Sequence, residues 1–205
     1  MNLSLRFAAL GVFLLSFLSF GCVSLERSYP DKRYFVIQIE DPKSANAEGG
    51  PILAVANLHI SPRYADKSFI YRRSETEYES DFYNQFLSPP STMISEETRK
   101  ALAASSAFQF VVGPSSPLTA NLVLEGSINA LYGDFRNLNA PAAVLEIELF
   151  LHNEDTTKAG IVLQKRYTKS IALKERSPEA LVRGWSQALE AIVAMFVADF
   201  GNRKL

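Results

Sequence analysis

The stretch Asn121-Leu-Val-Leu-Glu-Gly-Ser-Ile-Asn-Ala-Leu-Tyr-Gly-Asp-Phe135 decides how this chain folds. Side chains alternate between the two faces of a strand. Leu122, Leu124, Ile128, Ala130 and Tyr132 are therefore expected on one side, and Glu125, Ser127 and Asn129 on the other. The next run repeats the pattern, with Leu145, Ile147, Leu149 and Leu151 opposing Glu146 and Glu148. After a polar turn from Asn153 to Gly160, Ile161 to Leu173 reads as the return strand. Three successive strands with one apolar side make an antiparallel meander with one wet face.

The apolar side needs a cover, and the sequence supplies one immediately downstream. Ser177 suits an N-cap, Pro178 the first helical position, and Glu179 complements the positive end of the helix dipole. Leu181, Trp185, Ala188, Leu189, Ile192, Val193, Phe196 and Phe200 then form one stripe at helical spacing, and Gly201 is placed to close it as a C-cap. Upstream, Ser91 to Ser105 reads as another helix, with Ile94, Ala101 and Leu102 facing inward. Tyr34 to Ile39 and Ile52 to Ile60 are β-prone runs, and in the second Ile52, Ala54, Ala56, Leu58 and Ile60 are expected to share a face. Asp41 to Pro51, with Pro42, Gly49 and Gly50, reads as a loop. The expected fold is α+β: a two-layer single domain over residues 34–205, with a mostly antiparallel mixed sheet and two helices packed on one face.

The first residues belong to something else. A positive start with Arg6, an apolar run from Phe7 to Phe20, and the small Gly21 are the parts of a secretory signal peptide. The chain's one cysteine, Cys22, stands directly after it. A cysteine at the cut marks the bacterial lipoprotein version, in which the thiol receives a diacylglycerol before cleavage. The run would cover only about 21 Å as a helix, too short for ~30 Å of hydrocarbon. Acylation also disposes of an unpaired thiol in an oxidising compartment. Residues 1–21 are thus read as a lipoprotein signal peptide and 22–33 as a lipidated tether, which spans at most ~40 Å. Val23 follows the cysteine, where an aspartate would favour retention at the inner membrane, so the expected location is the periplasmic face of the outer membrane.

The chain of 205 residues carries 21 basic and 22 acidic side chains, and Arg6 leaves with the signal. A near-neutral remainder has no electrostatic footprint for nucleic acid. Catalytic patterns are missing too. His59 and His152 are isolated and lack partners at metal-ligand spacing, and there is no Gly-x-Ser-x-Gly elbow, P-loop or Gly-x-Gly-x-x-Gly. Glu146 and Glu148 look like paired carboxylates, but their alternation marks a solvated face. The expectation is a protein that is not an enzyme and needs no metal or cofactor beyond the diacylglycerol on Cys22.

One segment stands out. Tyr64, Phe69, Tyr71, Tyr78, Phe82, Tyr83 and Phe86 are interleaved with Arg63, Arg72 and Arg73. Either these rings complete the core, or some are exposed beside arginine, the composition that protein interfaces favour. The string Val55-Ala-Asn-Leu-His-Ile60-Ser-Pro62-Arg-Tyr64-Ala-Asp66, followed by Phe69-Ile-Tyr71-Arg72, resembles the signature of the ABC-type transport auxiliary lipoproteins. Ala65 replaces the family's usual leucine, and Phe86-Leu87 stands where Trp-Ala is usual. The resemblance spans about residues 33–200 and implies a non-enzymatic component of a lipid-transport system. Its implied partners are a periplasmic protein with a mammalian-cell-entry (MCE) domain and, through it, an ABC permease and ATPase. Tyr64, Asp66, Tyr71 and Arg72 are the expected partner contacts, and self-association stays open. The alternative is an assembly factor or plug for an outer-membrane β-barrel, of the lipopolysaccharide-assembly type.

Overall fold

The computed structural model describes residues 31–40, 49–154 and 160–202. The chain divides into a unit over Met1–Asp31 and a compact unit over Lys32–Leu205. The signal segment, Cys22 and the tether up to Pro30 lie outside the described residues, as do most of the Asp41–Pro51 loop and of the turn before Gly160.

Elements follow in the order β1 (Arg33–Phe35), β2 (Ile52–Val55), β3 (His59–Ile60), a 3-10 turn (Pro62–Tyr64), β4 (Ser68–Arg72), β5 (Tyr78–Phe86), α1 (Pro90–Ala104), β6 (Phe110–Val112), β7 (Leu122–Asp134), β8 (Ala142–Asn153), β9 (Ile161–Ala172) and α2 (Pro178–Gly201). β7 is the spine of one mixed sheet. Along one edge it pairs antiparallel with β8, from Leu122↔Asn153 to Asp134↔Ala142, and β8 pairs likewise with β9. Along the other edge it takes three short segments in succession, all parallel to it. These are β2 at Leu53↔Leu122, β3 at His59↔Ser127 and β4 at Tyr71↔Gly133. β6 extends the sheet beyond β2, and β5 then β1 extend it beyond β4.

Two expected faces are corrected. The pairing steps from Ile128↔Ile147 to Ala130↔Glu146, leaving Asn129 as a bulge. Side-chain parity inverts there, because the period is two residues. Leu131, Gly133 and Phe135 therefore turn inward, and Ala130 and Tyr132 do not join Leu122, Leu124 and Ile128 on the buried face. The run Ile52 to Ile60 is not one strand. Between Val55↔Leu124 and His59↔Ser127 it carries one residue more than β7, so Leu58 is buried with Leu53 and Val55 and leaves the face of Ile52 and Ala54.

α2 starts as its sequence demands, with the Ser177 hydroxyl accepting from the Ala180 N–H at 3.1 Å and Pro178 in the first turn. Its stripe from Leu181 to Phe200 is buried over β8 and β9. The helix is long and apolar enough to cross a membrane, but it spends that face on the core. Gly201 is its last residue without a left-handed φ, so the expected glycine cap does not form; the Asn202 N–H closes the end on Ala198 and Phe200 carbonyls. A Cβ on Gly184 would lie 2.6 Å from that of Ala143, and this glycine is what lets α2 lie so close to β8. Gly126 plays a similar part inside the sheet, where a Cβ would meet the Glu148 carbonyl oxygen at 2.5 Å.

α1 packs beside α2 and holds irregular chain with polar side chains. The Glu97 carboxylate accepts the Ile39 N–H at 2.9 Å, and the Ser95 hydroxyl accepts the Leu58 N–H at 2.9 Å. Both side chains are buried, so each satisfies a backbone donor that no strand partner reaches.

Candidate functional site

The aromatic segment is divided by the sheet. On β4, Phe69 and Tyr71 point to the helix-covered face while Ile70 and Arg72 point to the open one. The Phe69 ring meets Trp185 edge-on at 5.1 Å and Phe86 at 4.7 Å, so these rings complete the core. Tyr71 is also buried, stacked on Phe135 at 5.1 Å under the Arg73 guanidinium.

The Tyr71 hydroxyl donates to Asp81 at 2.7 Å. That carboxylate also accepts the N–H groups of Tyr83 and Asn84 and the Asn84 side-chain amide. The pairing of β4 with β5 slips at this point, between Ser68↔Gln85 and Ile70↔Ser80, and Asp81 ties the extra residues together. Burial penalises its charge, yet the donors from Asn84 and Tyr71 outweigh burial and hold the carboxyl below the usual aspartate range. Burial, reinforced by the same bond, pushes the Tyr71 phenol well up.

The open face carries a second cluster. Tyr132, turned outward by the Asn129 bulge, stacks on Tyr64 at 6.1 Å and receives Tyr78 edge-on at 5.8 Å. The guanidinium groups of Arg63 and Arg72 lie over the Tyr78 ring at 5.2 and 5.7 Å. Arg72 pairs with Glu75 at 2.8 Å, Arg136 bonds the same carboxylate, and Arg136 also reaches Asp134 at 2.6 Å. The Arg136 guanidinium holds the Asp134 carboxyl below its ordinary range. Of the four expected contacts, Tyr64 and Arg72 thus belong to one cluster, Tyr71 lies on the opposite face, and Asp66 is exposed in the turn between β3 and β4. Tyr64 is only 3% exposed, and burial raises its phenol.

Glu146 and Glu148 stand on the open face as the alternation predicts, answered by Arg166 on β9 at 3.6 and 3.3 Å. His59 is exposed on β3 and His152 is half-buried on β8. Among the described residues, no three histidine, cysteine or acidic side chains gather as a metal site. Sequence reasoning missed Asp81, Ser95 and Glu97. An Asp-Phe-Tyr-Asn run at 81–84 is the one local signal for the first, since aspartate readily bonds backbone N–H groups two and three residues on.

No protein-family model matches the chain, and comparison with curated proteins finds no match either. Solved structures do share its fold. Protein XCC0632 from Xanthomonas campestris, of family-model DUF330, superposes with a TM-score of 0.69 at 16% identity, over 80% of this chain and 92% of that one. An uncharacterised protein gives 0.67 at 15% identity, over 83% and 99%. The hypothetical protein CT253 from Chlamydia trachomatis gives 0.52 at 12% identity, over 74% and 98%. At such identities the likeness is one of fold.

Proposed function

We propose that this chain is a lipid-anchored, non-enzymatic accessory subunit of an MCE-type ABC transport system for lipids or other lipophiles, held at the periplasmic face of the outer membrane. The observation that carries the reading is the apolar run Phe7 to Gly21 ending at the only cysteine, joined by a short tether to one compact domain. The family-like string supports it: Val55 to Arg72 is the segment that leaves β2, passes β3 and the Pro62–Tyr64 turn, and enters β4, all along one edge of β7. In this reading Asp66 and Arg72 contact the MCE-domain partner on the open face, and the buried Tyr64 and Tyr71 fix the strand that presents them.

Photoreactive residues placed at Asp66 and at exposed positions around Arg72 test the partner in cells. The expected capture is an MCE-domain protein, and Arg72→Ala should weaken co-purification about thirtyfold, the equivalent of ~2 kcal/mol for an interface hot spot. Capture of a β-barrel assembly protein alone would replace this reading with the assembly-factor alternative. Tyr64→Ala is a poor probe, because a buried ring reports on the fold.

A further inference from the structure

Large apolar side chains gather on the outside of the domain at one corner. Tyr34 and Val36 follow each other along β1 and beyond, and are 55% and 46% exposed; Phe82 and Leu87 are 63% and 58% exposed. All four lie on or just beyond the paired strands β1 and β5, at one edge of the sheet. Tyr34 faces Gln85 across the β1–β5 ladder, the Leu87 N–H donates to the Phe35 carbonyl at 2.9 Å, and Lys32 lies with its Nζ 4.2 Å over the Phe82 ring. Lys67 reaches the Leu87 carbonyl at 2.9 Å and so brings a second ammonium to the same corner. The other exposed large apolar side chains among the described residues, Phe110, Leu118, Leu138 and Ile161, are scattered over β6, two loops and β9.

The position of this corner in the chain names its occupant. β1 is the first element after the tether, and the ten residues from Cys22 to Lys32 span at most ~36 Å. An acyl chain on Cys22 therefore ties the start of β1 to within that reach of the bilayer surface, and β1 is nearer the anchor along the chain than any other described strand. Aromatic rings and leucine flanked by lysine are the side chains that settle at a membrane interface, with the ammonium groups at the phosphates. We propose that Tyr34, Val36, Phe82 and Leu87, with Lys32 and Lys67, dock the domain onto the phospholipid headgroup layer and so fix its orientation on the membrane. The proposal rests on the anchor at Cys22 and adds a second, non-covalent membrane contact to it.

The test uses the full lipidated protein in phosphatidylethanolamine–phosphatidylglycerol vesicles containing acyl-brominated lipid. With Cys22 acylated, a cysteine introduced as Gln85→Cys is the only free thiol and takes an environment-sensitive fluorophore beside the corner. Ile161→Cys is the control. It lies on β9, five strands from β1 and roughly 24 Å away at ~4.8 Å per strand, well beyond the 5–10 Å that interfacial side chains penetrate. The expected result is at least about twofold quenching at position 85 and none at 161. Phe82→Ser with Leu87→Ser should bring position 85 to the control level while the mass of the acylated protein and its flotation stay unchanged. Equal, weak quenching at both positions on floating, acylated protein would overturn the docking and leave the anchor intact. An unacylated mass and failure to float would remove the anchor, and the docking with it. A signal at position 85 that follows protein density rather than brominated lipid would assign the corner to a second copy of the chain and overturn the proposal.

Discussion

Tyr71 and Arg72 are adjacent in β4, yet they stand on opposite faces of one sheet and are held by different physics. Beneath the helices, Tyr71 joins a continuous core in which Trp185, Phe69 and Phe86 meet ring against ring. There the dominant gain is apolar area removed from water. On the other face, among the described residues, no helix packs over β4. The Arg72 cluster is a rivet of three tyrosines and two guanidinium groups, and its gains are ring stacking and cation–π attraction that solvent partly screens. The covered face makes the domain stable. The open face sets guanidinium groups beside aromatic rings, with Arg63 exposed and Arg72 and Tyr78 partly so.

The largest expected effect breaks the covered face. Trp185 is fully buried, and its Nε1–H donates to the Tyr132 carbonyl at 3.3 Å. Trp185→Ala should cost ~3–5 kcal/mol through lost burial and the cavity left behind. Urea unfolding followed by far-UV circular dichroism measures it. A loss under about 1 kcal/mol would mean that α2 is not packed on the sheet by this side chain.

How much of this contrast was legible beforehand depended on the length of each pattern. β7, β8, β9 and α2 are long, their periods repeat many times, and they were read nearly to their ends. The bulge at Asn129 left no mark in composition, yet it moved Tyr132 from the expected core set to the open-face rivet. A second slip of one residue, between Val55 and His59, moved Leu58 off the face expected for it, because an extra residue resets the alternation. The parallel seating of β2, β3 and β4 against β7 is a non-local choice made by packing, so no local string announces it. For the candidate site, the sequence supplied the right segment but could not divide it. Whether a ring such as Tyr64 is core or surface depends on Tyr132, far along the chain, and on that bulge.

A smaller effect lies at the seam between the two faces. Asp81 binds Tyr71 from the core side and four donors in all, so Asp81→Asn should cost about 1–2 kcal/mol at neutral pH by weakening charge-assisted hydrogen bonds. Its folded-state pKa lies below the ordinary value. The stability it adds is therefore fully present above the unfolded-state pKa of ~4 and is lost as pH falls through the lower folded-state value. Chemical unfolding of wild type and Asp81→Asn between pH 7 and 3 should show their difference shrinking only in the acid range. A difference that is constant with pH would assign the effect to shape and not to the carboxylate.

The smallest effect tests the open face itself. Tyr78 is half-buried, with Arg63 and Arg72 over its ring and its edge against Tyr132. Tyr78→Leu keeps apolar bulk but removes the π face, and exposed cation–π contacts contribute ~0.5–1 kcal/mol, so the loss should be of that size. Combining it with Arg72→Ala should give less than the sum of the two single losses, by about 0.5 kcal/mol, since both remove the same contact. Urea midpoints for the three variants supply the cycle. A loss approaching that of Trp185→Ala would make the rivet a second core and end the contrast between the faces.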